Sequence, residues 1–99
     1  MELWGVSMAK SLISDEKKCF KCGTTYGIHK HHIFGGPNRK NSEKYGCWVY
    51  LCGRHHNLSS EGIHFDSEFN LITKQFCQQK FECKYNHQDF MKIFGKNYL

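Results

Sequence analysis

The 99-residue sequence lacks the features that would assign it to several broad protein classes. No apolar run approaches the roughly 20 residues needed to cross a bilayer, so we expect no membrane partner. Met1–Trp4 shows no basic stretch followed by an apolar core, and a reducing, cytoplasmic compartment is therefore expected. There is no internal repeat, low-complexity tract or linker. The length predicts a single domain, residues 1–99.

Acidic side chains are scarce in the middle of the chain. Residues 17–44 contain seven Lys or Arg and one acid, whereas the formal net charge of the whole chain is +5. A basic stretch of this kind favours an anionic partner, with nucleic acid first among the candidates. A solvated lysine-rich surface is the alternative. The candidate nucleic-acid contacts are Lys30, Arg39, Lys40 and Lys44.

Cysteine is plentiful, and its spacing indicates a metal site. Cys19 and Cys22 are separated by two residues, and Cys52 and His55 repeat that gap. Together these four residues predict a closed tetrahedral site for a structural zinc ion. Zinc would compensate for the small core of so short a chain. The alternative is buried thiols beside an incidental histidine. Three further cysteines are predicted to be small buried hydrophobic residues: Cys47, Cys77 and Cys83.

Five of the seven histidines lie in two short clusters, at residues 29–32 and 55–56. If His55 binds zinc, helical geometry turns His56 about 100° further round, toward a different ion. Its natural companions are His31, His32 and His64. A second structural metal, or histidines that merely face solvent, is the alternative. His29 and His87 are set aside as incidental.

The residue pattern predicts two strands and then helices. Strands are expected over His29–Phe34 and Cys47–Leu51, paired antiparallel across a polar loop that begins at Gly35–Asn38. Gly53–Ser60 should turn into a short helix, and the loop after it should carry His64.

Helical spacing begins at Ser67, with Asp66 or Ser67 as the cap and a break near Asn86–Gln88. Residues 1–17 are expected to form an arm or short helix that docks through Leu12 and Ile13. The apolar stripe of the C-terminal helices is expected to pack in the core: Phe69, Ile72, Phe76, Cys83, Phe90 and Phe94.

These motifs together resemble a known family. The order Cys19–Cys22, then His31-His32-Ile33, then Leu51–His56 is similar to that of the zinc-stapled HNH endonucleases, whose fold is the ββα-metal (His-Me finger) fold. The resemblance covers residues 19–66, and small proteins encoded by phages and prophages are the most similar. It implies an α+β fold with a zinc-stapled ββα-metal core at 19–66, an N-terminal arm at 1–18 and a C-terminal helical extension at 67–99.

The resemblance also implies roles for the histidines. His32 would be the base that deprotonates water, oriented by a backbone carbonyl, and His31 and His56 would bind a catalytic divalent ion. The family position of the third ligand is occupied here by Ser60, a poor ligand, so His64 is expected instead. An all-histidine site accepts transition ions more readily than magnesium, and Mg²⁺, Mn²⁺, Ni²⁺ and Zn²⁺ are all candidates.

One departure from the family pattern concerns its central asparagine. That position is Cys47 here, so the tether of the loop must come from another residue. The candidates are Asn38, Asn41 and Asn57.

The expected function is hydrolysis of DNA phosphodiester bonds, with contacts mainly to backbone phosphates. A non-catalytic zinc module that binds nucleic acid or protein is the alternative, and an RNA-directed nuclease of the same fold is a third reading. A phage-encoded partner protein, or a homodimer through Phe90, Phe94 and Tyr98, is a further hypothesis. A bacterial host cell would then be the setting.

Overall fold

Two short strands form the sheet on which the histidines are arranged. In the computed structural model, which describes residues 10–99, β1 (Ile28–His32) pairs antiparallel with β2 (Trp48–Cys52). His31 lies opposite Val49 in this register. The predicted strand pair is confirmed, and its observed ends lie within two residues of the predicted ones.

The segment between the strands contains a helix where the sequence analysis expects only a loop. A 3-10 turn (Gly36–Asn38) leads into α1 (Arg39–Tyr45), which ends at Gly46 in the left-handed conformation. The hydroxyl of buried Ser42 donates to the carbonyl of Phe34 at 2.7 Å, which ties α1 to the end of β1. The helix was not predicted because its residues are almost all polar, so no apolar periodicity marks it.

Three helices follow the sheet in the predicted order. They are α2 (Gly53–His56), α3 (Ser67–Lys84) and α4 (His87–Phe94). The Asp66 side chain accepts a hydrogen bond from a backbone N–H of the first turn of α3, and Asn86 does the same for α4. Both the predicted cap at Asp66 and the predicted break before α4 are confirmed, because Asn86 begins a new helix instead of extending the first.

The buried face of α3 differs from the predicted stripe. Ile72 is 56% exposed and Cys83 is exposed, so their predicted burial is wrong. Positions four residues apart share a helix face, and the buried apolar residues of α3 follow that spacing from Phe69. They are Phe69, Cys77 and Phe81. Cys47 and Cys77 are fully buried, as predicted.

Aromatic rings fill the space between α3, α4 and the end of β1. Phe81 and Phe90 are fully buried, with ring centroids 5.5 Å apart, and Phe34 lies 4.6 Å from Phe94. Phe90 and Phe94 therefore pack in the core, as the sequence predicts. Tyr98, the third residue of the dimer hypothesis, is partly buried against the same core, and the dimer stays a prediction.

Residues 10–13 run beside the turn that follows α1. The N–H of Leu12 donates to the carbonyl of Gly46 at 2.8 Å, and Leu12 and Ile13 pack against the core as predicted. Residues 10–17 contain no helix, and the remainder of the predicted arm, residues 1–9, lies outside the described residues. Among residues 10–99 no helix has the length and apolar character needed to span a bilayer. The described chain is thus a small α+β unit with a two-stranded sheet.

Candidate metal centres

The first candidate centre brings together the four residues predicted to bind zinc. The turn that carries Cys19 and Cys22 closes through a 2.8 Å hydrogen bond from the Gly23 N–H to the Cys19 carbonyl, with Gly23 at a φ of +80°. The N–H of Phe20 donates to the carbonyl of Tyr50, which holds this turn against β2. The turn therefore faces the end of β2, where the second half of the site lies.

The donor atoms of this cluster have separations suited to one ion. The Sγ atoms of Cys22 and Cys52 are 3.8 Å apart, and Nδ1 of His55 lies 3.7 Å from Sγ of Cys19 and 3.3 Å from Sγ of Cys52. Tetrahedral zinc with ordinary bond lengths needs about 3.8 Å between sulfurs and about 3.6 Å between sulfur and nitrogen. The cluster Cys19, Cys22, Cys52 and His55 could therefore bind a metal ion, consistent with a structural zinc.

Local electrostatics lower the pKa of Cys19 and raise that of Cys22, where a hydrogen bond from the backbone of Thr24 is outweighed by burial and the thiols of Cys19 and Cys52. Burial opposes ionisation of Cys19, but backbone N–H groups around its sulfur and the His55 ring outweigh it and lower the pKa of Cys19 to about 6. Nε2 of His55 lies 3.4 Å from the Arg54 guanidinium and 3.6 Å from the Glu61 carboxylate, while Nδ1 is directed at the sulfurs of Cys19 and Cys52.

The second candidate centre consists of three histidines from three different segments. His31 lies on β1, His56 ends α2, and His64 lies on the loop that returns from α2. The ring centroids are 5.2 Å apart for His31 and His56, 5.1 Å for His31 and His64, and 4.8 Å for His56 and His64. One nitrogen from each ring lies within 4.8 Å of the others, so the cluster could hold a metal ion.

Backbone hydrogen bonds fix His64 beside His56. The N–H of Ile63 donates to the carbonyl of His55 at 2.8 Å, and the N–H of His64 donates to that of His56 at 3.2 Å. Gly62 permits this approach, since a Cβ there would lie 2.6 Å from the His56 carbonyl oxygen. His64 therefore joins the cluster, and Ser60 lies on the exposed turn before it.

One buried ring nitrogen in this centre, Nε2 of His31, is available to bind an ion. Nε2 of His31 is buried and has no hydrogen-bond partner among residues 10–99. Burial, followed by the nearby His56 and His64, lowers the pKa of His31 to about 3, and burial with the neighbouring His64 and His29 lowers that of His56 to about 4. Both rings are neutral at pH 7, which leaves lone pairs free to bind a cation. An unpaired buried nitrogen of this kind costs stability unless something binds it.

Comparisons of the chain with protein-family models, curated proteins and solved structures found no match.

A carboxylate to which no sequence motif assigns a role lies against His32. Oε1 of Glu43, on α1, is 2.7 Å from Nε2 of His32, and its Oε2 is 2.9 Å from Nζ of Lys30. Burial raises the pKa of Glu43, but Lys30 and His32 outweigh it and lower that pKa. The only signal in the sequence was that Glu43 is the single acid of the basic stretch. Among residues 10–99 the hydrogen-bond partner of the His32 ring is therefore a carboxylate, in place of the backbone carbonyl that the resemblance implies.

A cleft of about 290 Å³ joins the three-histidine cluster to His32. Of the basic residues predicted to bind nucleic acid, Lys30 and Arg39 line it, whereas Lys40 and Lys44 lie on exposed positions of α1. The cleft is lined by Lys30, His31, His32, Gly35, Gly36, Arg39, His56 and His64.

The candidate tether residues occupy different places. The side-chain amides of Asn38 and Asn41 donate to carbonyls at the end of α4, those of Phe94 and Ile93, at 3.0 and 3.2 Å. They therefore attach the segment after β1 to the C-terminal helix. Asn57 follows α2 and is exposed.

The two histidines that were set aside behave differently. Nδ1 of His87, on α4, lies 2.6 Å from Oε2 of Glu82, on α3. His29, in contrast, places its Nδ1 3.0 Å from Nδ1 of His56. Sequence reasoning missed this contact because strand alternation alone does not tell which histidine of a cluster touches the helix.

Proposed function

We propose that the chain is a metal-dependent endonuclease of the HNH type, with a ββα-metal core, that hydrolyses phosphodiester bonds of DNA. The observation that carries the proposal is one cleft lined both by a histidine paired with a carboxylate, His32, and by three histidines whose ring nitrogens lie close enough together to bind one ion. General base and cation site are the two parts that phosphodiester hydrolysis requires.

His32 has the chemistry of a base held in one tautomer. If Nε2 carries the proton and donates to Glu43 at 2.7 Å, Nδ1 is left unprotonated. That nitrogen would accept a proton from water as the water attacks phosphorus. The carboxylate of Glu43 would then stabilise the charged ring, as a carboxylate does for the histidine of a hydrolase triad.

The three-histidine cluster would hold the divalent ion through His31, His56 and His64. Such an ion supplies positive charge that stabilises the phosphate and the departing 3′ oxygen in the transition state. Neutral imidazoles bind transition ions in preference to magnesium. We therefore expect Mn²⁺, Ni²⁺ or Zn²⁺ to support cleavage better than Mg²⁺.

Substrate binding would rely on charge at the edge of the cleft. Arg39 is exposed there, and its guanidinium suits bidentate contact with a phosphate. Lys30 is already engaged by Glu43 and lies 4.1 Å from the Trp48 ring centre. Arg39 is therefore the stronger candidate for a phosphate contact. Lys40 and Lys44, further along α1, would contact other phosphates of the DNA backbone.

A non-catalytic zinc module is the second candidate, favoured by the completeness of the first centre. Cys19, Cys22, Cys52 and His55 fill all four positions of a tetrahedral ion, so that ion would have no open position for chemistry. This candidate predicts one tightly bound metal per chain and binding of nucleic acid or protein without turnover.

Plasmid cleavage with a panel of divalent ions tests the proposal. His32→Ala should lower the cleavage rate by about 100-fold to 10,000-fold, the usual contribution of a general base. His87→Ala is a matched control, because His87 also pairs with a glutamate, at 2.6 Å, but on α4. Equal cleavage by His32→Ala and wild type would remove His32 from its role. Binding of DNA with one metal per chain and no cleavage with any ion would favour the zinc module.

A further inference from the structure

His29 lies directly behind one of the three clustered histidines. Side chains two residues apart on a strand share a face, so His29 and His31 project from the same side of β1. His31 contributes to the cluster, and His29 instead contacts the His56 ring edge-on, with centroids 5.1 Å apart. The two Nδ1 atoms, of His29 and His56, are 3.0 Å apart.

A contact between two ring nitrogens at this distance requires one proton between them. Two lone pairs would repel each other, as would two N–H groups, so one Nδ1 donates and the other accepts. Nε2 of His56 is the nitrogen directed into the cluster, 3.1 Å from Nε2 of His64, and with no ion present it accepts from His64 if Nδ1 carries the proton of the His56 ring. A nitrogen that binds a cation must be unprotonated, and a neutral imidazole has a single N–H. Nδ1 of His56 therefore donates, and Nδ1 of His29 accepts.

Backbone contacts hold the pair in this arrangement. The N–H of Gly53 donates to the carbonyl of Gly27 at 3.1 Å, which ties the start of α2 to the residue before β1. A Cβ on Gly53 would lie 2.5 Å from Cδ1 of Leu58 and 3.7 Å from Cε1 of His29. The His29 ring is thus packed beside the first turn of the helix that ends at His56.

We propose that His29 is a positioning residue for the three-histidine site: by accepting the Nδ1 proton of His56 it fixes the tautomer that directs Nε2 of His56 at a divalent transition ion. The proposal rests on the cluster binding an ion, as the proposed function requires, but not on cleavage of DNA. Metal-binding histidines usually donate their second N–H to a carboxylate, a backbone carbonyl or water. In this chain the imidazole of His29 would take that place.

The test measures the affinity of the zinc-loaded protein for Mn²⁺ and Ni²⁺ by titration calorimetry. His29→Phe keeps a ring of similar size but offers no acceptor, and should weaken binding about 10-fold to 100-fold. His29→Asn offers an amide oxygen near the position of Nδ1 and should restore most of the affinity. His87→Phe is the matched control and should bind as wild type does. Retention of one zinc per chain and of the melting temperature establishes that each variant is folded.

Each outcome decides between the proposals. If His29→Phe binds the ion as tightly as wild type, the role of His29 is overturned and the nuclease proposal stays in place. If His29→Phe and His29→Asn weaken binding equally, the same conclusion holds, because His29 would then act through packing and not as a hydrogen-bond acceptor. Absence of a second ion in wild type overturns both. Loss with Phe, recovery with Asn and no cleavage by wild type supports His29 and refutes only the nuclease.

The tautomers provide a measurement that needs no variant. In ¹H–¹⁵N spectra of the wild-type protein, we expect a proton on Nδ1 of His56 and a proton on Nε2 of His29. Observation of the opposite pair of tautomers with diamagnetic Zn²⁺ bound at the second site would overturn the proposal even if His29→Phe did not fold.

Discussion

Removal of one ligand of the four-residue cluster should reveal how strongly a metal ion stabilises the fold. Cys22→Ser is the informative change, because Cys22 is exposed and its loss leaves no cavity. Without its full set of donors the cluster should release zinc, and the turn at Cys19 would then lose its link to the end of β2.

The size of the effect follows from the length of chain that the ion closes. Cys22 and Cys52 are 30 residues apart in sequence. A covalent link across such a loop lowers the entropy of the unfolded chain by an amount worth about 3.6 kcal/mol at 25 °C. A domain of this size shifts its melting temperature by roughly 4–8 °C per kcal/mol, so we expect a decrease of roughly 15–30 °C.

Thermal unfolding followed by circular dichroism, together with zinc content by elemental analysis, measures this effect. Cys83→Ser is the matched control, since Cys83 is also exposed but lies on α3 away from either cluster, and it should melt within about 2 °C of wild type, as is usual for surface substitutions. If Cys22→Ser kept its zinc and melted with wild type, the four residues would not form a structural metal site.

Three further predictions concern the base, the core and acidification. Glu43→Gln should lower kcat for DNA cleavage at least about tenfold with little change in KM, because the negative charge beside His32 is lost. Glu82→Gln is the control. Equal kcat for the two variants would refute the role of Glu43 as the partner of His32. Phe81→Ala should cost about 3–5 kcal/mol of unfolding free energy in urea, because a fully buried ring leaves a cavity, and a cost under about 1 kcal/mol would contradict the described core. In protein with no ion at the three-histidine cluster, the pKa of His31 is about 3 in the fold against an ordinary 6.5. The unfolded chain then binds the extra proton, so stability is full above pH 6.5 and falls as the pH drops toward 3; His31→Gln should lose less stability than wild type between pH 7 and pH 5, and an equal loss would refute the assignment.

The sequence was most informative where chemistry and spacing coincide. The pair Cys19 and Cys22 and the pair Cys52 and His55 were predicted to form one cluster. Two donors separated by two residues can bind the same ion when the chain between them turns, and two such pairs complete a tetrahedral site. His56 and His64 were also placed correctly beside His31, since the consecutive His55 must face elsewhere if it joins the cysteines.

The sequence was least informative where polar residues form regular structure. α1 carries no apolar periodicity, so its position depends on the tertiary contact of Ser42 with Phe34. Because the helix was not predicted, neither was the approach of Glu43 to His32. The buried face of α3 was assigned wrongly for a related reason: Ile72 is apolar but exposed, and helical spacing alone does not choose between adjacent apolar stripes.

The brevity of α2 has a consequence for the order of metallation. Four residues are too few to form a stable helix in isolation, so the direction of the His56 ring depends on the anchoring of its neighbours, His55 above all, at the cysteines. The second ion would then bind only after the first has loaded. If the proposed second site binds an ion, a chain prepared without zinc would bind manganese weakly, and adding zinc would restore that binding.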